Sequence, residues 1–458
     1  MPTSLRIAFL THEPFYPPSG GGSAEAVYLV QEMVRRGHEV HVFGPQIDDA
    51  ENVQQKFGVK LHPFTKWRMG RYAKLRNLKY LAYPFFLERM VVVAARETKF
   101  DLIFSQHAIS AVAAGKLKQK LGVSVVMNFP DLLTGFMETW SSYVAPKPLV
   151  RALMRYEMSL PRRYGVDGVC AISDEFADRI AARGYPREKI FPIYYGYDAQ
   201  AFPLRGQLPP PGQPPVIVMH GSFDAHHLNK ILFDAILQVA KKRPEIKFRF
   251  IGVKTVAMRK LLKRVKNKIP DFNCEEIGFV AYDKVTESLR DANVGIVPYA
   301  ESAGTHCAFV AKIVEYVATG LPTVCTPLKS VQNYFKNDPL VKFSKFNGED
   351  FGKKILTWLD EPAANWQPHA AQSAARVKAE LDWQPLCRKA VDFAEKVCLE
   401  STTKTPRTPK PFMTGHRWTQ MKHGWGTTTQ STGSRTRIAP GRFNYFCSRK
   451  KAQKAQEY

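Results

Sequence analysis

The sequence predicts an α/β protein made of two doubly wound parallel-sheet halves that face each other across a cleft. Three observations predict it. Apolar runs of strand length alternate with stretches of helical period over the first 400 residues, the pattern of a parallel sheet covered on both faces. A proline cluster between Pro203 and Pro215 interrupts that alternation near the middle of the chain, where so much proline can neither pair in a sheet nor continue a helix. Beyond it the alternation restarts and gives a second half of similar size.

In the first half, Ile7–Leu10 reads as a buried strand and is followed by a Gly-rich loop. A helix follows with Ser23 as its expected N-cap, an apolar stripe through Val27, Val30 and Val34, and a stop at Gly37. Val40–Phe43, Asp101–Phe104, Val123–Met127 and Val169–Ile172 are the next buried-strand candidates. In the second half the strands are Val216–Met219, Lys247–Val253, Asn293–Tyr299 and Thr323–Thr326. Helices are expected over Asn229–Lys242 and from about Phe309 to Thr319, the latter ended by Gly320. Residues 1–200 thus form one domain, 201–215 a linker and 216–380 a second domain, with a closing helix over 381–400.

The chain has 458 residues, with 66 Lys and Arg against 41 Asp and Glu, a net charge of +25, and 45% apolar residues. That composition belongs to a globular protein and not to a disordered one. The seven cysteines stand singly and no pair has C-x-x-C spacing, which excludes zinc ribbons and thioredoxin-like redox sites. No apolar stretch reaches the roughly 18–20 residues that cross a bilayer. The first residues lack a basic, cleavable leader, so a cytoplasmic protein is expected, one that meets a membrane only from its surface. Residues 401–458 hold twelve Lys and Arg against Glu457 alone, and read as a disordered, solvated basic tail. Nucleic acid is not the expected partner.

In open parallel sheets ligands bind beyond the carboxyl ends of the strands, so the loops there are where chemistry is sought. The loop after the first strand contains His12, Glu13 and the run Gly20, Gly21, Gly22. Glycines let the backbone approach a ligand, and the helix that follows offers free N–H groups to a phosphate. A tight structural turn would use the same residues. In the second half, Gly221 and Ser222 follow a strand, and Thr305 and His306 precede the helix that carries Lys312 and Glu315. The i, i+3 spacing puts Lys312 and Glu315 on one helix face. They are either a surface ion pair or a cation for phosphates beside a carboxylate for a ribose diol.

Several motifs, in this order, carry a resemblance. They are the Gly-rich loop and its helix ending Arg36-Gly37-His38-Glu39-Val40, Ala171-Ile172-Ser173, Ile193-Tyr194-Tyr195-Gly196-Tyr197-Asp198, and Lys312-Ile-Val-Glu315-Tyr316 followed by Gly320-Leu321-Pro322. The order is similar to that of glycosyltransferases of the GT-B architecture, in particular glycosyltransferase family 4, over about residues 5–399. The resemblance implies two Rossmann-like domains, a nucleotide-diphosphate sugar held mainly by the second and a saccharide or lipid-linked acceptor held mainly by the first. It also implies a final helix that crosses back to the first domain. Three positions depart from the family pattern. Cys307 stands where many members carry the first of two glutamates, His220 to Lys230 carries no Arg-Lys pair, and Asn128-Phe129-Pro130-Asp131 stands where a histidine is usual. The Lys-x-x-Glu-Tyr form also resembles an inverting glucuronosyltransferase type of the same architecture.

Expelling a nucleoside diphosphate requires stabilisation of developing negative charge. The sequence has no Asp-x-Asp, so no metal and no cofactor is expected. The Gly20–Gly22 loop, the Gly221–Ser222 turn, the helix start near Thr305–Phe309 and Lys312 would supply the positive field. An inverting course needs a general base, for which Asp131 is the first candidate and His12 and Glu13 the next. A retaining course, which the resemblance favours, needs none. Finally, Lys66–Lys79 holds six cations and no acid, with Trp67 and Tyr72 among them. Lys66, Trp67, Arg68, Arg71 and Lys74 suit the surface of an anionic membrane or a solvated face.

Overall fold

The computed structural model describes residues 4–17, 21–64, 79–206, 212–224 and 226–404. Gly20, the segment with Lys66, Trp67, Arg68, Arg71 and Lys74, the middle of the proline cluster and the tail beyond residue 404 lie outside the described residues.

Seven strands make the first sheet: β1 (Arg6–Leu10), β2 (Glu39–Pro45), β3 (Lys60–Phe64), β4 (Leu102–Gln106), β5 (Ser124–Phe129), β6 (Gly168–Ala171) and β7 (Ile190–Pro192). Their order is β3-β2-β1-β4-β5-β6-β7, and every pairing is parallel. Six more make the second: β8 (Val216–His220), β9 (Lys247–Ile251), β10 (Cys274–Gly278), β11 (Val294–Val297), β12 (Thr323–Cys325) and β13 (Val341–Phe343), in the order β10-β9-β8-β11-β12-β13. Parallel pairing requires crossovers, and helices supply most of them. In the first lobe they are α1 (Gly21–Arg35), α2 (Ala50–Phe57), α3 (Lys79–Ala94), α4 (His107–Leu121), α5 (Lys147–Tyr164) and α6 (Asp174–Ala181). In the second they are α7 (Lys230–Lys242), α8 (Val256–Lys266), α9 (Ala303–Cys307), α10 (Ala311–Ala318), α11 (Lys329–Phe335) and α12 (Gly348–Asp360), followed by α13 (Gln367–Leu381) and α14 (Trp383–Lys404).

The sequence-predicted strands are the central ones. β1, β4, β5 and β8 are buried on both faces and are apolar almost throughout, as covered parallel strands must be. The strands that the sequence reading did not assign, β3 (Lys-Leu-His-Pro-Phe) and β10 (Cys-Glu-Glu-Ile-Gly) among them, lie at or beside sheet edges, where a polar face is tolerated. Helix α1 starts at Gly21, so Ser23 lies within its first turn and not at its N-cap. The caps of α6 and α7 are Ser173, which accepts from the Phe176 N–H, and Asn229, which accepts from those of Ile231 and Leu232.

The expected closing helix over Leu381–Glu400 is α14, which begins two residues later, at Trp383, and is preceded by a separate helix, α13. Helix α13 ends at Leu381, and Asp382 is extended. At the break the two passages of the chain between lobes bond to each other. The Tyr197 N–H donates to the Leu381 carbonyl at 3.0 Å, and the Trp383 N–H to the Tyr197 carbonyl at 3.1 Å. Trp383 is buried against Gly196, where a Cβ would stand 2.6 Å from the indole, and it stacks on Tyr28 of α1 at 5.3 Å. Helix α14 then packs on α1 and the first sheet. Arg36 Nη1 meets Asp392 at 2.6 Å and Glu395 at 3.0 Å, and His38 Nε2 meets Glu395 at 2.8 Å. No helix among the described residues is long and apolar enough to cross a membrane.

Candidate active site

Both sheets reverse their order at a switch point, between β1 and β4 in one and between β8 and β11 in the other. Loops leaving neighbouring strands in opposite directions open a crevice there. The functional candidates gather at these two crevices.

In the second lobe β8 ends at His220, and the chain turns through Gly221 at φ +100, a conformation that glycine adopts without strain. A Cβ on Gly221 would stand 3.0 Å from Cε and 3.1 Å from Nζ of Lys312, so the turn lies directly over that ammonium. Lys312 is buried and bonds the Tyr299 hydroxyl at 3.0 Å. Glu315, one turn further along α10, is also buried, and its Oε2 lies 2.5 Å from His220 Nε2. The other ring nitrogen of His220 lies 3.0 Å from the Tyr316 hydroxyl, which accepts from the His220 N–H at 3.2 Å. A network in which Tyr316 donates to Nδ1 leaves the proton on Nε2, pointed at the carboxylate. Lys312 and Glu315 are therefore not a solvated surface pair. They are two opposite charges held in the interior on one helix face, where a charge needs a specific partner.

The neighbouring loop brings Asp224, His226 and His227 together, with one donor atom from each lying within 4.8 Å of the others. This is a possible cation cradle by geometry, but Lys312 sits close enough to depress the His226 pKa. Burial is the main cause that takes that imidazole down to about 4, with Asp224 pulling the other way and Lys312 adding a smaller push downward. Lys230, the other cation of this stretch, is exposed and paired with Asp234.

Thr305 and His306 are placed differently from Lys312. The expected helix start at Thr305–Phe309 divides into α9, which begins at Ala303, and α10, which begins at Ala311. Thr305 is fully buried in a capping box with Ser302, and the Ala303 N–H is taken by Glu138 at 2.7 Å. His306 Nδ1 accepts from the Lys329 N–H and Nε2 lies 3.4 Å from Glu301. The α9 start is thus already satisfied by protein groups. The carbonyl of Cys307, at the position of the family's first glutamate, accepts from Ser173 Oγ at 2.6 Å.

In the first lobe the centre is a residue that the sequence reading passed over. His107 follows β4 and opens α4 with φ +66, a left-handed conformation uncommon for a side-chain-bearing residue. Its buried ring lies edge-on to His12 at 4.8 Å between centroids. Nδ1 is 3.6 Å from Asp131 Oδ1 and Nε2 is 3.9 Å from Glu13 Oε2. So the three expected first-lobe residues, His12, Glu13 and Asp131, converge on this one imidazole. Burial opposes its charge, but Asp131, Glu13 and Glu25 outweigh burial and hold its pKa up at about 9. Beneath it, Glu25 of α1 accepts from Gln106 and Asn128, each at 3.1 Å, and burial raises its pKa to about 7. Gly21 and Gly22 open the same helix.

Burial, then Glu315 of the second lobe and Glu25 of the first, raise the pKa of Tyr195 well above its ordinary value. The loop after β5 closes the cleft: a Cβ on Gly135 would lie 2.5 Å from the Gly304 nitrogen, and Phe136 packs on His226 at 5.1 Å. Glu157 of α5 holds that loop. It accepts from the Leu133 N–H at 2.9 Å, from the Thr134 N–H at 2.8 Å and from the Thr134 hydroxyl, and burial raises its pKa to about 7.

Comparison with known proteins places this geometry. Residues 20–196 match the family description "Glycosyl transferase 4-like domain" and residues 214–361 match "Glycosyl transferases group 1", together more than two thirds of the chain. Among solved structures, Alr3699/HepE from Anabaena, crystallised with UDP and glucose, superposes with a TM-score of 0.63 at 16% identity, covering 86% of this chain and 100% of its own. The sucrose-phosphate synthase of Thermosynechococcus elongatus gives 0.68 at 13% identity, with 86% and 100% covered. WaaG, a glycosyltransferase of lipopolysaccharide biosynthesis, gives 0.59 at 15%, with 85% and 99% covered. At these identities the likeness is one of fold: two Rossmann-like lobes. No curated protein sequence matches the chain.

Proposed function

The chain belongs to the glycosyl transferases of group 1, and from that premise we propose that it moves a sugar from a nucleotide-diphosphate sugar to a saccharide or lipid-linked acceptor, without a metal and with retention of configuration. The observation that carries the donor half is the buried Lys312–Glu315 pair beneath the left-handed Gly221 turn. Glu315, oriented by His220, accepts the two ribose hydroxyls. Gly221, Ser222 and Lys312 take the diphosphate, with the neutral His226 beside them as a hydrogen-bond donor. UDP-glucose, which HepE holds in its crystal, is the first donor to try.

At the reacting centre the bond between the sugar anomeric carbon and the phosphate oxygen breaks as the acceptor hydroxyl approaches the same face. The acceptor proton passes to the leaving phosphate oxygen, and Lys312 stabilises the charge that remains. His107, protonated at neutral pH, serves as a donor to sugar or acceptor hydroxyls and not as a base, which supports retention. Glu13 and Asp131 hold it in place and face the acceptor. The absence of Asp-x-Asp and the ammonium beside the donor site support a metal-free reaction. The basic Lys66–Lys74 stretch supports work at the cytoplasmic face of a membrane, in the building of surface polysaccharide. Incubation with a panel of nucleotide sugars, with the anomeric configuration of the product read by NMR, tests the reading. Turnover should survive EDTA, and an inverted product would pass the proton to Asp131 instead. No donor turnover and no thermal shift with any nucleoside diphosphate would end it.

A further inference from the structure

We propose that the solvent face of helix α5 is a docking surface for an anionic lipid bilayer, and that it places the acceptor side of the cleft against the membrane. The inference rests on the lipid-linked acceptor reading given above. Helix α5 carries Lys147, Arg151, Arg155, Arg162 and Arg163, and its single acid, Glu157, is turned inward to hold the loop after β5. The five cations are exposed, and none forms an ion pair with a carboxylate among the described residues. Arg155, Tyr156, Ser159, Arg162 and Arg163, joined by Arg183 just beyond α6, line an open groove of about 550 Å³ with no acid in its walls.

Helix-capping chemistry explains Arg162 and Arg163, which lie in the last turn beside the negative end of the helix dipole. It does not explain Arg151 and Arg155 in the middle, or the exposed apolar residues in the helix and just before it. Tyr143 is fully exposed at 100%, Val144 at 71% and Leu149 at 51%, with Trp140 and Tyr156 partly so. Cations interleaved with interfacial aromatics and aliphatics are what an anionic headgroup layer recognises; a soluble polyanion would have no use for the apolar half. The two faces of α5 are about 10 Å apart. The residue that fixes the acceptor loop and the residues that would meet lipid therefore belong to one rigid element, and a lipid-borne acceptor would reach Asp131 from the surface on which the protein sits.

The test is flotation of the full chain on phosphatidylcholine vesicles with and without about a third of phosphatidylglycerol, near 0.15 M salt. Wild type should float with the anionic vesicles only, and the Arg155→Glu, Arg162→Glu, Arg163→Glu triple variant should lose tenfold or more of that binding while melting as wild type does. Should the charge reversals impair folding, Arg151→Ala with Arg155→Ala and, separately, Tyr143→Ser with Leu149→Ser should each weaken flotation severalfold. Transfer to a short water-soluble acceptor should be unchanged in all of them. Equal flotation of wild type and variants would overturn the proposal by assigning the membrane contact elsewhere, the Lys66–Lys74 stretch included. So would equal flotation of wild type on neutral and anionic vesicles. A wild type that floats but transfers no sugar counts against the functional reading and not against this one.

Discussion

Glu315 is held in the interior by His220, and the proposed donor site depends on that contact. Replacing it by Gln removes the charge but keeps the shape. Binding of the nucleoside diphosphate that gives the largest thermal shift should weaken about 10- to 100-fold by calorimetric titration, the usual cost of a lost charged hydrogen bond. His107 offers a second prediction. Its pKa is raised from the ordinary 6.5 to about 9, so the stability it contributes is complete below pH 6.5 and is lost as the pH climbs through 9. The His107→Asn variant keeps a residue that accepts the left-handed backbone. It should be less stable than wild type by up to about 3 kcal/mol at pH 6, and the gap in urea titrations should close by pH 9.5. The Lys312–Glu315 face was legible in the sequence because helical spacing is local. His107, His220 and Glu25 were not. A lone histidine or glutamate after an apolar strand looks like any core or surface residue until the switch points of two sheets bring it to the crevice.

At the scale of elements, the loop after β5 joins the lobes in part through backbone alone. Gly135 and Gly304 meet backbone to backbone, so a methyl group at either position has nowhere to go. Gly135→Ala should leave the melting temperature within a few degrees of wild type and cut kcat/KM at least tenfold, because the lobes cannot close. A matching loss of stability would show that the contact serves the fold instead. The central strands were readable because burial on both faces makes them uniformly apolar, whereas β3 and β10 escaped because edge strands keep half their polarity. The start of the closing helix was displaced because a tertiary contact decided it: the extended backbone of Asp382 is set by pairing with Tyr197.

Over the whole molecule the lobes share more than a cleft. Helix α14 leaves the second lobe and completes the first, with Trp383 buried under Gly196 and Tyr28. Trp383→Ala should cost about 3–5 kcal/mol, and both lobes should then melt earlier together, in one calorimetric transition, since each depends on the same helix. The division into halves was visible in the proline cluster, while the return of the chain was expected from resemblance alone. Because both covalent passages between lobes run side by side at Tyr197 and Asp382, the molecule is articulated along one narrow line. Any rotation of the lobes about that line would have to break the bonds by which Glu138 accepts from the Ala303 N–H and Ser173 donates to the Cys307 carbonyl.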